Sequence, residues 1–156
     1  MRLVITPSAF IRRQTAINVA ASILASLIPF LIVFEISLPV YVWGVGNYVF
    51  DFLPQGFMIA LMSILMPGVS AGKALREGTL SPLAGPTRPL AHLAIRAILF
   101  GAFGAVLGAA LAAGFLSLVD VPEIDWNRAL AAKVVFGGLL AAIVTPIGLR
   151  TALSHL

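Results

Sequence analysis

The sequence has no cysteine, which excludes disulfides, thiolate nucleophiles and cysteine-ligated metals at once. It is also short of charge. Lys, Arg, Asp and Glu make up 10% of the 156 residues, against about a quarter in a soluble domain. So few charges cannot cover a water-soluble surface, and lipid is the expected solvent. The two histidines, His92 and His155, stand apart with no HExxH zinc pattern. Neither a cofactor nor a metal is expected, and the chain does not read as an enzyme. The net charge of +4 does not point to nucleic acid, because the basic residues are scattered between apolar runs without a stripe of interleaved aromatics.

What is abundant is apolar: 60% of residues are hydrophobic and the mean hydropathy is +1.06. A bilayer core about 30 Å thick needs about 20 apolar helical residues. Four stretches qualify: 14–34, 52–72, 97–119 and 134–149, the last extendable to Trp126 because Lys133 can snorkel. Arg2, Arg12 and Arg13 precede the first run, but that run is longer than a signal-peptide core, so a retained first span is expected. The fold class follows: all-α, an integral membrane four-helix bundle forming one domain. Hairpin one covers 14–72 and hairpin two 90–150. The Gly/Pro-rich connector 73–89, with Gly78, Pro82, Gly85, Pro86 and Pro89, is expected on the cytoplasmic side.

Charge sets the expected orientation. With both termini cytoplasmic, Arg2, Arg12, Arg13, Lys73, Arg76, Arg88, Arg96 and Arg150 lie inside, and only Arg128 and Lys133 fall outside. Trp43, Trp126, Tyr41 and Tyr48 are then expected at the outer interface. Pro29, Pro54, Pro67 and Pro146 are expected to kink or end helices.

The two hairpins read alike. Leu61 to Pro67 matches Leu140 to Pro146, and Glu35, Pro39 and Trp43 match Asp120, Pro122 and Trp126. This suggests a duplicated hairpin in parallel orientation. The segments Asp51-Phe52-Leu53-Pro54-Gln55-Gly56-Phe57-Met58 and Thr145-Pro146 resemble small uncharacterised four-span bacterial inner-membrane proteins. That resemblance implies location and topology and carries no activity or functional residue.

Three groups of residues stand out. Asp51 and Lys133 fall at similar depth near the outer ends of spans two and four and are expected to pair, structurally rather than as a proton relay. Gly101, Gly104, Gly108 and Ala112 on span three, with Gly137 and Gly138 on span four, place small residues at helix-packing intervals. Glu35, Asp120, Glu123 and Asp125 form an acidic outer rim, read as solvated loop rather than as a divalent-cation site. Asn18, Ser22 and Ser26, four residues apart, make one face of span one mildly polar, and Ser63 adds a polar group on span two.

The leading expectation is a non-catalytic protein acting through helix packing, with lipid around it and a protein partner or second copy on span three. It would serve as an accessory or structural subunit of a membrane complex, or as a homo-oligomer. The alternative is a small solute or ion transporter or channel built from two parallel repeats.

Overall fold

The computed structural model describes residues 5–36, 38–81 and 90–153. Arg2, Arg88, His155 and the connector residues Pro82, Gly85, Pro86 and Pro89 lie outside the described residues. Four helices are long and apolar enough to cross a membrane: α1 (Pro7–Val33), α2 (Phe52–Arg76), α3 (Leu90–Val119) and α4 (Trp126–Leu153). At 1.5 Å per residue each is roughly 37–45 Å long, longer than the hydrocarbon core. This corrects the expected bounds. Helical hydrogen bonding continues beyond the apolar runs, so Lys73 and Arg76, assigned to the connector, occupy the last turn of α2, where cations complement the helix dipole.

Local chemistry fixes the ends. Thr6 caps α1 by accepting a hydrogen bond from the Ala9 amide at 3.4 Å, with Pro7 in the first turn. Asp125 caps α4 in the same way, accepting from the Arg128 amide at 3.2 Å. At the far end of α2, Gly78 takes φ +67°. The Gly78 amide then donates to the Leu75 carbonyl and the Thr79 amide to the Ala74 carbonyl, the paired bonds of a Schellman stop. α3 stops at Asp120, which adopts φ 51°. Pro29, Pro67 and Pro146 lie inside their helices without ending them, and Pro54 sits in the first turn of α2. A proline inside a membrane helix is tolerated where neighbours satisfy the freed carbonyl.

Beyond the helices there is a small sheet. β1 (Val40–Tyr41) pairs antiparallel with β2 (Glu123–Ile124), Val40 opposite Ile124 and Tyr41 opposite Glu123. The two hairpin connectors are thereby stitched together. The first is no bare turn: it folds back so that the Tyr48 and Val49 amides donate to the Tyr41 and Val42 carbonyls.

Three apolar layers stack along the bundle. Phe30, Val42, Tyr48, Phe52, Leu116 and Ala129 fill the sheet end. Ile59, Ala60, Ile64, Ala97, Leu140 and Ala141 fill the middle. Phe10, Ala71, Leu80, Leu149 and Leu153 fill the opposite end, where Ile5 bridges to Leu80. Large apolar side chains such as Leu24, Ile28, Leu99, Phe103, Val106 and Leu139 remain exposed on the outside, as expected of helices solvated by lipid.

The helices do not pack as two self-contained hairpins. α2 and α4 face each other in the middle, α3 lies along α2, and α1 lies along α4. α1 meets α2, and α3 meets α4, only lightly. The buried positions of α2 between Phe52 and Ala71 recur, position for position, between Lys133 and Ala152 of α4. That spacing of 81 residues (Phe52 to Lys133) differs from the proline-based match of Pro67 with Pro146. Two residues of slip turn a helix by about 200°, and accordingly Pro67 is buried while Pro146 is not.

Candidate functional site: a polar thread through three helices

Asp51, the residue preceding α2, makes no capping bond with its side chain. It turns instead to Lys133 and forms an ion pair with its ammonium. Lys133 is fully buried two turns into α4, and the Asp51 side chain keeps 21% of its surface exposed. Gln55, one turn below Asp51, accepts a second hydrogen bond from Lys133 Nζ at 3.1 Å. The Phe52 and Tyr48 rings lie 4.4 and 5.3 Å from the same ammonium, adding cation–π attraction in a dry setting. A buried charge is tolerated only when paired and hydrogen-bonded, and Lys133 is both. The expected Asp51–Lys133 pair is therefore present, with Gln55 and two aromatic rings as further neighbours of the ammonium.

From Gln55 the polar groups continue toward the centre. Its Nε2 donates to Ser26 Oγ at 2.8 Å and to the Lys133 carbonyl at 3.1 Å. Ser26 Oγ donates to the Ser22 carbonyl one turn back along α1. One further turn along, Asn18 donates through Nδ2 to Ser63 Oγ at 2.8 Å and to Thr145 Oγ1 at 2.7 Å. All five groups from Asn18 to Thr145 are buried: Asn18, Ser22, Ser26, Ser63 and Thr145. The polar face read on span one is thus the floor of an interface joining α1, α2 and α4. Thr145 was missed because it follows three apolar residues and precedes Pro146. Gln55 was legible in principle, since it shares a helix face with Asp51 four residues earlier.

Because α1 and α2 touch lightly, a groove runs between them above this thread. A cavity of about 420 Å³ is lined by Gln14, Asn18, Ser22, Met62, Met66 and Ser70 among others. A notch of about 140 Å³ continues it past Ser26, Pro29, Gln55 and Asp51. Polar side chains therefore mark the groove from its sheet end to its far end.

The glycine positions are taken up inside the chain. A methyl on Gly104 would stand 2.8 Å from Ala60 Cβ, and one on Gly108 would stand 2.6 Å from the Phe136 ring. Gly101 packs on Phe57, Gly137 on Ser26 and Ile59, and Gly56 lies backbone to backbone with Gly104. Ala112 packs beside the sheet-end core. Gly138 differs: a methyl there meets only ordinary contacts with Ile23 and Val19, so close packing does not require it.

Other expected sites fare differently. Glu35, Asp120, Glu123 and Asp125 are exposed, and among the described residues they do not gather into a group able to hold a metal. Trp43 and Tyr41 are exposed as expected of interfacial rings, but Tyr48 is buried, its hydroxyl donating to the Ala129 carbonyl at 2.9 Å. Burial, and secondarily the Asp51 charge, push the Tyr48 hydroxyl well above the usual phenol range. Gly68-Val69-Ser70-Ala71-Gly72 has the G-x-S-x-G spacing of a hydrolase nucleophile turn. Here it is continuous helix rather than a strand-to-helix turn, and among the described residues no hydrogen bond links Ser70 to a histidine or carboxylate.

No protein-family model, curated protein or solved structure matches this chain. The resemblance drawn from residues 51–58 and Thr145-Pro146 finds no support in these comparisons.

Proposed function

We propose that this chain is a small non-catalytic membrane module that conducts protons along the groove between α1 and α2, with both termini cytoplasmic in an inner membrane. In this reading its two hairpins are parallel repeats. The matching burial of α2 and α4 supports that, as does the reciprocal packing of each hairpin's first helix on the other's second. Transport sites of such repeats lie near mid-depth at the repeat interface, and Asn18, Ser63 and Thr145 meet there from both hairpins. The observation that carries the reading is the row of polar side chains lining the groove, Asp51, Gln55, Ser26, Ser22 and Asn18, with Lys133 buried behind it against Asp51 and Gln55. The notch of about 140 Å³ beside Ser26, Gln55 and Asp51 is the tighter part of the groove, and proton transfer through side chains and water needs less room there than passage of a hydrated ion.

The test is proton flux into liposomes carrying an internal pH dye, under an imposed membrane potential. Wild-type protein should collapse the gradient at least tenfold faster than empty liposomes, and Lys133→Met and Asn18→Leu should each abolish the difference. Wild-type liposomes as tight as empty ones would remove the reading. Orientation is tested separately. A reporter active only outside should give signal after Val121 and none after Gly78 or Leu156.

One observation favours the second reading, a structural or accessory subunit. Lys133 is fully engaged by Asp51, Gln55 and two rings, which also describes a clamp between α2 and α4. In that case the substitutions lower stability and no flux exists to lose. The glycine face of α3 no longer supports a partner there, because α2 and Phe136 occupy it.

A further inference from the structure

On the opposite side of the bundle, α3 and α4 also touch only lightly, and at the sheet end they leave a cavity of about 370 Å³ between them. That volume lies within the range of about 300–1,000 Å³ typical of ligand sites. Beside the buried Tyr48, its walls away from the connector are apolar: Phe52, Ala112, Phe115, Leu116 and Ala132. Residues 112 to 119 cover about 10 Å of helix, so the apolar part descends roughly two turns from the sheet end. The cavity lining also includes three exposed charged residues, Glu123, Asp125 and Arg128. Arg128 lies one helical turn above Ala132, so charge sits at one end of the cavity and hydrocarbon at the other.

These charges are opposite in sign, yet among the described residues no ion pair joins Arg128 to Glu123 or Asp125. Among the described residues the ion pairs are Lys133 with Asp51 and Lys73 with Glu77. Asp125 Oδ1 is engaged by the backbone amide of Arg128, and the guanidinium itself has no partner among the described residues. A lone anion would suit Arg128 and be repelled by Glu123 and Asp125. A lone cation would meet the reverse. A ligand carrying both signs a few bonds apart satisfies all three.

We propose that this seam binds one phospholipid with a zwitterionic phosphoethanolamine headgroup, an acyl chain lying between α3 and α4. The phosphate faces Arg128, whose guanidinium fork suits phosphate oxygens. The primary ammonium donates to Glu123 and the open oxygen of Asp125. A quaternary ammonium has no N–H to donate, so phosphocholine keeps the charge match and loses these bonds. The surrounding bilayer supplies the ligand, and the site is independent of the α1–α2 groove and of whether that groove conducts protons.

The experiment uses the full chain, delipidated in detergent, with phosphatidylethanolamine, phosphatidylcholine or phosphatidylglycerol of identical acyl chains added back. Thermal unfolding and native mass spectrometry are the readouts. Phosphatidylethanolamine should give a dominant one-lipid species and the largest rise in Tm, by several degrees. Arg128→Gln and Glu123→Gln, both at exposed positions, should leave the lipid-free Tm within a degree and lose at least half of that rise. Ala112→Phe, which fills the seam, should remove the one-lipid species. Equal rises with all three lipids would overturn the site in favour of ordinary lipid solvation. A preference for phosphatidylglycerol, or a phosphatidylethanolamine preference that survives Arg128→Gln, would overturn the charge assignment.

Discussion

At the scale of single residues, the fold depends on a few polar groups held where lipid-facing helices rarely allow them. Lys133 is the most consequential. Removing one partner of a buried pair leaves an uncompensated charge, at about 3–5 kcal/mol. Asp51→Asn and Lys133→Met should therefore each lower stability in detergent by an amount of that order. The double variant should lose clearly less than the sum, and additive losses in that cycle would show the pair to be uncoupled. Tyr48 gives a second handle, this time on pH. The fold holds its hydroxyl protonated, whereas the unfolded chain releases that proton near pH 10. Above that pH the native state binds more protons, so stability should fall as pH rises further. Tyr48→Phe should remove this alkaline decline relative to wild type, while losing about 0.5–1.5 kcal/mol at neutral pH with the bond to Ala129. A decline equally steep in both proteins would clear Tyr48 of any part in it. Asp51 and Lys133 were legible in the sequence because ionisable residues in apolar runs stand out. Asn18's partners were not, because a hydroxyl on Ser63 or Thr145 becomes informative only when three helices converge on it.

At the scale of helices, the length of the apolar runs identified all four long helices but understated their extent, since hydropathy marks where lipid begins and not where backbone hydrogen bonding stops. Small residues were legible as packing positions, and their partners were not. Spacing says that a helix backbone can be approached; it does not say by what. The structure answers with α2, whose Gly56 meets Gly104 backbone to backbone. Gly104→Leu should therefore lower the Tm of the isolated chain at every protein concentration, by the equivalent of about 1–3 kcal/mol of overpacking. Gly138→Ala, with room for its methyl, should be neutral or slightly stabilising, as helix propensity alone suggests. A concentration-dependent loss in Gly104→Leu would instead mean that the glycine face meets another chain. The connectors were the least legible elements. A two-residue strand such as Val40–Tyr41 has no periodicity to read, and it exists because β2 lies beside it.

At the scale of the whole molecule, the proline match read in the sequence and the matching burial of α2 and α4 are out of step by two residues. Prolines catch the eye, but burial follows Gly56 with Gly137, Ala60 with Ala141 and Ala71 with Ala152. Gly56 lies against Gly104 of α3 and Gly137 against Ser26 of α1, so in that pair each second helix offers a glycine to the other hairpin's first helix. Since α1 lies mainly on α4, and α3 mainly on α2, neither hairpin has its principal contact within itself. Cutting the chain in the 82–89 connector should therefore not yield two independent units. Residues 1–85 and 86–156, co-expressed as separate chains with a tag on one, should purify together in mild detergent, because the Gly56–Gly104 approach and the Asn18–Thr145 bond both cross the cut. Lys133→Met should weaken that recovery several-fold, since its pairing with Asp51 also spans the two pieces. Expressed alone, either piece lacks the helix that covers its second span, so it should aggregate or pair with a second copy of itself. Two stable monomeric halves, with no co-purification, would mean that each hairpin is self-sufficient and that the interlocked packing does not hold the molecule together.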